Sequence, residues 1–315
     1  MRQTRFMPET PDGFPAEVPT HRLAHVSDSH LTSRDVLYNN RIDADAALDR
    51  AAAVLRRART DGRGLDALVV TGDLTDTGDP GAYSRVAAAV DGLAPQIIWV
   101  NGNHDVRTVF HAALLGVDDP GPLVRVHDIA GLRVIALDST VPRAGHGVLT
   151  AAHLADLAEI LATPARQGTV IALHHAPVPP PSPLLTYFAL ERSSRSALAD
   201  IVAGTDVRLI LAGHHHLAQS SSLAGIPVAV AGSTAIRTDP LAAPGHERTF
   251  ASGSFQLVDL YPTGGAVVSV IPVDGADQVF DLDETGCAEV IAAHPSGGGA
   301  PLDRAPAERP PRGRE

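Results

Sequence analysis

The sequence predicts an α/β sandwich, in which two β-sheets are covered by helices on their outer faces. In the first half of the 315-residue chain, short apolar runs of strand length alternate with helical patterns. Residues 218–273 then consist of successive short strand patterns separated by Gly and Pro turns. With 44% hydrophobic and 19% charged residues, the chain can bury the sizeable core that such a fold needs.

Short apolar runs predict the strands of the first half at 22–27, 68–71 and 97–100. Between the first two, residues 43–59 repeat Ala and Leu at helical spacing, so that one face of the helix is apolar. The pair Asp79-Pro80 predicts the start of the next helix, because Asp caps a helix N-terminus and Pro suits its first position. A β-α-β-α-β order therefore accounts for this part of the chain.

The second half continues the same alternation. Its predicted elements are a hairpin with strands at 123–127 and 132–137, a helix that Thr150 begins, and buried-type strands at 170–173 and 207–211. Residues 177–183 contain five prolines and suit neither a helix nor a central strand.

Three segments are expected along the chain. They are a flexible N-terminal arm over 1–20, a globular domain over 21–275 and a C-terminal extension over 276–315 that is disordered from about residue 294. No apolar run reaches the roughly 18 residues of a transmembrane segment, and the N-terminus lacks the apolar stretch of a signal peptide. We therefore expect a cytoplasmic protein without a transmembrane segment.

The composition excludes several kinds of chemistry. All 25 basic residues are Arg, so catalysis by a Lys side chain is excluded. Cys287 is the single cysteine, which excludes an intramolecular disulfide and a zinc site built on Cys ligands. The formal net charge of −11 argues against a nucleic-acid duplex as a partner. The chain nevertheless holds 15 His, a common metal ligand.

Polar residues of metal-ligating types directly follow five of the predicted strands. In α/β sheets, ligands bind beyond the carboxyl ends of the strands, so we expect these side chains to meet. Asp, Asn and His suit Mn²⁺, Fe or Zn²⁺. They are too many for one tetrahedral zinc and suit two ions about 3.5–4 Å apart that share a carboxylate. The groups are Asp28-x-His30, Gly72-Asp73, Gly102-Asn103-His104-Asp105, His174-His175 and Gly213-His214-His215-His216.

Each residue also has a simpler interpretation. Asp28 and Asp73 could be turn residues after strands, and a lone His is more often a satisfied polar residue than a ligand. The combination of groups favours the metal-ligand interpretation. His175 and His215 are expected to point away from the ions, and Asp76 either hydrogen-bonds a ligand or begins a turn.

Together these groups resemble the motif blocks of the calcineurin-like metallophosphoesterases, in the same order, over roughly residues 22–275. They look most similar to the bacterial class III cyclic-nucleotide phosphodiesterases and their glycerophosphodiesterase relatives. The resemblance implies a four-layer α-β-β-α sandwich of two mixed sheets flanked by helices, with 21–275 as the catalytic domain. It also implies a ligand set, in which Asp28, His30 and His216 hold one metal, Asn103, His174 and His214 hold the other, and Asp73 bridges both.

The resemblance further implies a hydrolytic mechanism with Asp73 and His104 as the catalytic residues. A hydroxide that bridges the two ions would attack phosphorus, and His104 would protonate the leaving oxygen without binding a metal. Fe and Mn are the expected ions, and Zn, Co and Ni are alternatives. Asn103 and His104 are the predicted substrate contacts, together with His146 on a nearby loop.

The predicted substrate is a small phosphodiester, with 3′,5′-cyclic AMP favoured. Thr77 and Asp105 stand where the Ser/Thr protein phosphatases of the resembled superfamily carry Arg and Glu, which argues against that activity. A glycerophosphodiester, another phosphodiester or a phosphomonoester stays open as the substrate. A non-catalytic metal-bound scaffold that binds a cyclic nucleotide or a protein partner is the alternative of another class. The strands within 225–273 could pair across a homodimer.

Overall fold

The computed structural model describes residues 17–119, 121–275 and 277–293. The chain divides into a large unit, Pro19–Gly275, and a second unit made of Met1–Val18 and Ala276–Glu315. The tail predicted to be disordered from about residue 294 lies outside the described residues, as does most of the predicted N-terminal arm. None of the helices in the described part combines the length and hydropathy of a membrane-spanning segment.

The elements of the chain alternate early and become β-rich later. The strands are β1 (His21–Val26), β2 (Ala67–Thr71), β3 (Ile97–Val100), β4 (Val124–Ile129), β5 (Leu132–Leu137), β6 (Thr169–His175), β7 (Val207–Gly213), β8 (Gln219–Leu223), β9 (Ile226–Val230), β10 (Arg237–Thr238), β11 (Thr249–Phe250), β12 (Ser254–Leu260) and β13 (Ala266–Pro272). The helices are α1 (Ala44–Thr60), α2 (Pro80–Val90), α3 (Arg107–Phe110), α4 (Ala151–Leu161), α5 (Pro183–Tyr187), α6 (Arg192–Val202) and α7 (Glu284–Ala293), and a π-helical turn, His111–Leu115, extends α3.

Two large mixed sheets form the centre of the large unit, which confirms the predicted fold class. The five-stranded sheet has the order β13-β12-β1-β2-β3, with β1, β2 and β3 parallel and β12 and β13 antiparallel. The six-stranded sheet has the order β4-β5-β6-β7-β9-β8, with a parallel centre and antiparallel strands at both edges. A small ladder joins β10 and β11.

The layers follow from the alternation of side chains along each strand. In β2, Leu68 and Val70 pack in the hydrophobic cluster that contains the buried faces of α1 and α2. Their neighbour Val69 points the other way, into the cluster between the two sheets. In β6, Ile171 packs in the cluster with α4 and α6, while Val170 packs between the sheets. Strands that are apolar on both faces therefore produce the four-layer sandwich.

Local signals place the predicted helix starts correctly. The side chains of Asp43, Asp79 and Thr150 accept hydrogen bonds from the first turns of α1, α2 and α4. Sequence reasoning missed α3, α5, α6 and α7. Neither α3 nor α6 has a capping hydrogen bond from a side chain at its N-terminus. The first five residues of α6 (RSSRSALADIV) are polar, so that its apolar residues occupy only its C-terminal half. Tertiary packing against the six-stranded sheet stabilises it.

Candidate metal centre and active site

The predicted ligands lie at the carboxyl ends of β1, β2, β3, β6 and β7, and the structure brings all of them together. Five of them have a left-handed backbone conformation, with φ between 47° and 71°. This conformation is costly for residues other than Gly and is concentrated at functional sites. The strands β1, β2 and β7 are therefore each followed by a sharp turn that presents a side chain. These residues are Asp28, His30, Asp73, His214 and His216.

One cluster combines the residues after β1 with the last His after β7. The Nε2 atoms of His30 and His216 are 2.9 Å apart. The Oδ1 atom of Asp28 lies 3.2 Å from His216 Nε2 and 4.0 Å from His30 Nε2. Asp28 and His30 have no solvent-exposed surface. Two imidazole nitrogens and a buried carboxylate thus converge on one point.

A second cluster forms around His174 at the end of β6. Its Nε2 atom lies 3.0 Å from Asn103 Oδ1, 3.2 Å from His214 Nδ1 and 3.4 Å from Asp73 Oδ2. The Nδ1 atom of His174 donates a hydrogen bond to the Thr71 carbonyl at 2.7 Å, which directs Nε2 into the cluster. The ligands predicted for the second metal therefore face a common position.

The donor chemistry of the second cluster fits a cation. His214 donates from Nε2 to the Phe188 carbonyl at 3.0 Å, so that its Nδ1 carries a lone pair toward His174. The amide oxygen of Asn103 and the carboxylate of Asp73 are also acceptors, so three acceptors surround one nitrogen. Burial lowers the pKa of His174, but Asp73 outweighs burial and raises this pKa to about 9. The cluster thus favours positive charge, which a metal ion would supply.

The carboxylate of Asp73 lies between the two clusters. Its Oδ2 atom is 3.4 Å from His174 Nε2 on one side and 3.8 Å from His30 Nε2 on the other. Its Oδ1 atom accepts a hydrogen bond from the His104 backbone N–H at 2.8 Å, which holds the carboxylate in this orientation. The position suits a ligand shared by two ions.

Both buried carboxylates are ionised. Burial raises the pKa of Asp28, but the neighbouring His216 outweighs burial and holds this pKa below its ordinary value. Burial also raises the pKa of Asp73, but His174 outweighs it and holds this pKa well below its ordinary value. The centre therefore combines two buried negative charges with His nitrogens, and divalent cations would balance these charges.

His104 is the most exposed of the predicted site residues, with 40% of its side chain accessible. Its Nδ1 atom lies 2.9 Å from the carbonyl of Asp76 and 3.2 Å from the Asp76 carboxylate. Burial lowers the pKa of His104, but Asp76 and Asp73 outweigh burial and raise this pKa to about 10. Asp76 also lies 3.7 Å from His30 Nδ1, so one carboxylate faces both rings. The sequence left the role of Asp76 open.

Asp105 supports the loops and does not orient the His104 ring. Its carboxylate accepts hydrogen bonds from the backbone N–H groups of Gly102, Leu74 and Thr75 at 2.9 to 3.3 Å. Burial, together with the charge of Asp73, raises the pKa of Asp105 to about 6. The carboxylate therefore holds the turns after β2 and β3 against each other.

The two neighbouring histidines face other partners. His175 contacts Ser139 Oγ through Nδ1 at 2.9 Å and donates from Nε2 to the Gly145 carbonyl at 3.0 Å. His215 contacts the side-chain oxygen of Gln219 through Nδ1 at 2.7 Å. Both rings are buried, and each has a lowered pKa because of burial, to about 3 for His175 and about 4 for His215. Both are therefore neutral side chains that pack beside the ligands.

A cavity of about 360 Å³ opens over the two clusters. Its lining residues are Asp73, Asn103, His104, Arg143, Ala144, Gly145, Leu185, Phe188, His214 and His216. His146 is half-buried next to Gly145 and is not among these lining residues, as far as the described chain shows. Sequence reasoning did not find Arg143 or Phe188, because neither lies in a motif, although Arg143 lies on the same loop as His146.

Comparisons with known proteins agree with this geometry. A family model described as calcineurin-like phosphoesterase matches residues 21–218. The chain is 41% identical over 267 residues to the "cAMP/cGMP dual specificity phosphodiesterase MT0825" of Mycobacterium tuberculosis (strain CDC 1551 / Oshkosh), with 83% of this chain and 82% of the relative covered. It is also 41% identical over 283 residues to a "Probable cyclic nucleotide phosphodiesterase" of Rhodococcus erythropolis, with 85% and 92% covered.

Among solved structures, the chain resembles GAP50, described as the anchor in the inner membrane complex of Plasmodium. The TM-score is 0.56 at 13% sequence identity, and the match covers 87% of this chain and 95% of that one. A likeness at this level of identity shows a shared fold and no shared activity.

Proposed function

Because this chain belongs to the calcineurin-like phosphoesterase family, we propose that it hydrolyses 3′,5′-cyclic nucleotides, cyclic AMP among them, at a centre of two metal ions. Membership in the family confirms the resemblance that the five motif groups carry, and it implies divalent metal ions. The names of the two relatives support a cyclic nucleotide as the substrate. Mn and Fe are the proposed ions, because carboxylate, amide and imidazole ligands suit both.

The position of Asp73 is the observation that carries the proposal. Its Oδ2 atom lies within 3.8 Å of a His nitrogen in each cluster. We assign His30 and His216, with Asp28, to one ion, and the cluster around His174 to the other. When bound, two cations supply Lewis-acid chemistry: they make hydroxide available near neutral pH and offset negative charge on the phosphoryl oxygens.

His104 supplies the proton for the leaving oxygen in this proposal. The ring lies at the cavity, and Asp76 keeps Nδ1 occupied, so that Nε2 is the atom that faces substrate. A raised pKa of about 10 keeps the ring protonated at neutral pH. A protonated imidazole can stabilise the departing alkoxide, which is a poor leaving group without a proton.

The test is hydrolysis of cyclic AMP, cyclic GMP, a glycerophosphodiester and bis(p-nitrophenyl) phosphate by metal-stripped protein titrated with Mn²⁺. We expect cyclic nucleotides to be hydrolysed only when metal is added. Asp73→Asn, which keeps the shape but removes the charge, should reduce the rate by about a hundredfold or more. Asp49→Asn, on the exposed face of α1, is the matched control and should retain the wild-type rate.

Each other outcome points to a different function. Turnover of the other diesters without the cyclic nucleotides would replace the substrate class and keep the metal centre. If folded, metal-loaded protein cleaves none of these diesters, phosphomonoesters are tested next, and the non-catalytic scaffold becomes the better interpretation when these are not cleaved either. The homodimer and the cytoplasmic location stay predictions.

A further inference from the structure

The cavity over the metal centre has two unlike sides. One side is lined by the ligands, Asn103 and His104, which the proposed reaction uses. The other side is lined by Arg143 with Leu185 and Phe188, for which that reaction has no role. We call Arg143, Leu185 and Phe188 the wall of the cavity. The wall lies beside the proposed phosphate site, and the non-phosphate part of a substrate would have to contact it.

The Phe188 ring has a fixed position relative to the metal centre. The Phe188 carbonyl accepts the hydrogen bond from His214 Nε2 at 3.0 Å, so that a predicted metal ligand and the wall share one residue. The ring packs on Gly145, where a Cβ atom would lie only 2.5 Å from Phe188 Cδ1. Only Gly allows this close approach. The backbone at Gly145 therefore supports one side of the Phe188 ring.

The loop that contains Gly145, residues 139–147, is itself held in several places. His175 donates from Nε2 to the Gly145 carbonyl at 3.0 Å. Two backbone hydrogen bonds join the loop to the segment after Phe188, from Gly147 N–H to the Ala189 carbonyl at 3.3 Å and from Glu191 N–H to the Gly147 carbonyl at 2.9 Å. The loop and the wall therefore form one preformed unit.

The start of the loop is joined to the motif loop after β3. Asn101 donates from Nδ2 to the Thr140 hydroxyl at 2.9 Å, and Arg107 donates to the Thr140 carbonyl at the same distance. Arg107 also forms a mostly buried ion pair with Asp138 at 2.8 Å. These bonds hold the loop that carries Arg143 against the chain segment that carries Asn103 and His104.

Arg143 itself has an unusual backbone conformation for its residue type. Its φ is 62°, in the left-handed region, within a turn closed by a hydrogen bond from Ala144 N–H to the Val141 carbonyl at 3.0 Å. Among the described residues that line the cavity, Arg143 is the one arginine. Its guanidinium is planar and always charged, and it stacks well on flat π-systems.

We propose that Phe188 and Arg143 bind the base of the cyclic nucleotide, with Phe188 as a stacking surface, while the metal centre binds the cyclic phosphate. This inference rests on the proposed function and names how that substrate is selected. A preformed aromatic surface lowers the cost of ordering a ligand. Stacking tolerates any base, because every base has a π-face, so adenine and guanine should both be accepted.

The test compares cyclic AMP with glycerophosphoethanolamine, a diester that has neither a base nor any other aromatic ring. Phe188→Ala is expected to raise KM for cyclic AMP about tenfold, as expected from the loss of one base–aromatic stack, with kcat changed less than twofold. Its kcat/KM for the base-free diester should fall much less. Arg143→Gln should raise KM for cyclic AMP severalfold, again with the smaller effect on the base-free diester.

Two further variants separate binding of the base from packing. Phe280→Ala removes an aromatic ring that is 76% exposed and does not line the cavity, and it should behave as wild type. Phe188→Leu keeps an apolar side chain on Gly145 without the aromatic face and should show the same selective loss as Phe188→Ala. Thermal unfolding of each variant checks that it is folded.

The outcomes distinguish this inference from the proposed function. If wild type hydrolyses cyclic AMP and Phe188→Ala leaves KM unchanged or weakens both substrates equally, the inference is overturned and the function stands. A Phe188→Leu variant with wild-type KM would also overturn it, because the wall would then act by packing alone. If wild type cleaves the base-free diester but no cyclic nucleotide, both proposals fail together.

Discussion

Close contacts at Gly102 and Gly213 explain why Gly occurs in the motif groups. A Cβ atom on Gly102 would lie 2.1 Å from Asp73 Oδ1, and one on Gly213 would lie 1.9 Å from Ser27 Oγ and 2.6 Å from Asp28 Oδ2. Any side chain at either position would therefore displace a predicted ligand. The glycines allow the strand ends to approach the carboxylates closely, and for this reason they accompany ligands in the sequence.

At the residue scale, His25 should make stability depend on pH. The ring is fully buried, with Nδ1 3.0 Å from Gln256 Oε1 and Nε2 2.8 Å from Thr71 Oγ1. Burial lowers the pKa of His25 from 6.5 to about 4. Below pH 6.5 the unfolded state therefore binds more protons than the folded state. The stability that the neutral ring supports is complete above pH 6.5 and is lost as pH falls toward 4.

The measurement is the free energy of unfolding in urea at pH 7 and pH 4.5 for metal-stripped wild type and His25→Gln. The difference between the two pH values should shrink by roughly 2 kcal/mol in the variant, since each pKa unit corresponds to about 1.4 kcal/mol. His246→Gln, at an exposed position, should keep the wild-type difference. An unchanged pH dependence in His25→Gln would contradict the assignment.

Asp76 should matter most for substrates with poor leaving groups. The carboxylate contributes to the raised pKa of His104, and Asn in its place removes that charge. We expect Asp76→Asn to reduce kcat for cyclic AMP roughly ten- to a hundredfold. With bis(p-nitrophenyl) phosphate, whose leaving group needs no proton, kcat should fall much less. Equal losses on both substrates would show that Asp76 acts through His30, the proposed metal ligand whose Nδ1 lies 3.7 Å from its carboxylate.

Among the elements, the start of α1 is the clearest case of a local sequence signal. Asp43 caps the helix, and its carboxylate accepts a hydrogen bond from Ala46 N–H at 2.9 Å. Asp43→Ala should lower the free energy of unfolding by about 1 kcal/mol. Asp49→Ala, at an exposed position within the same helix, should change it by less than about 0.5 kcal/mol. Urea unfolding of the two variants measures the contrast, and equal effects would rule out the cap as the cause.

For the whole molecule, metal binding should stabilise the fold. The residues of the two clusters follow five strands, which belong to both sheets. A bound ion would therefore link the two sheets at one edge. Ligand concentrations a hundredfold above Kd stabilise a folded protein by about 2.7 kcal/mol. For a domain of this size that corresponds to a rise in Tm of roughly 5–10 °C.

Thermal unfolding of stripped protein with and without excess Mn²⁺ measures this effect. Asp73→Asn, which removes the shared carboxylate, should lose most of the rise. If the wild-type protein unfolds at the same temperature with and without excess Mn²⁺, the clusters do not bind Mn²⁺ at the concentration used.

The sequence by itself determined the main strands, the helices α1, α2 and α4 with their caps, and the groups that we propose as metal ligands. These features depend on neighbours a few residues apart, so periodicity and motif spacing are enough to find them. Even so, α6 was missed, because its first five residues are polar and its apolar residues occupy only the C-terminal half.

Only the tertiary structure decided which residues meet. His30 and His216 are separated by 186 positions, and His104 and Asp76 by 28, yet each pair is in contact. The wall around Phe188 lies in no motif, because an apolar residue on a loop has no local signal of binding. Pairing of strands brings their carboxyl ends to one edge. Packing of the two sheets then brings Phe188 to the same cavity as the predicted ligands, and the sequence pattern does not specify this packing residue by residue.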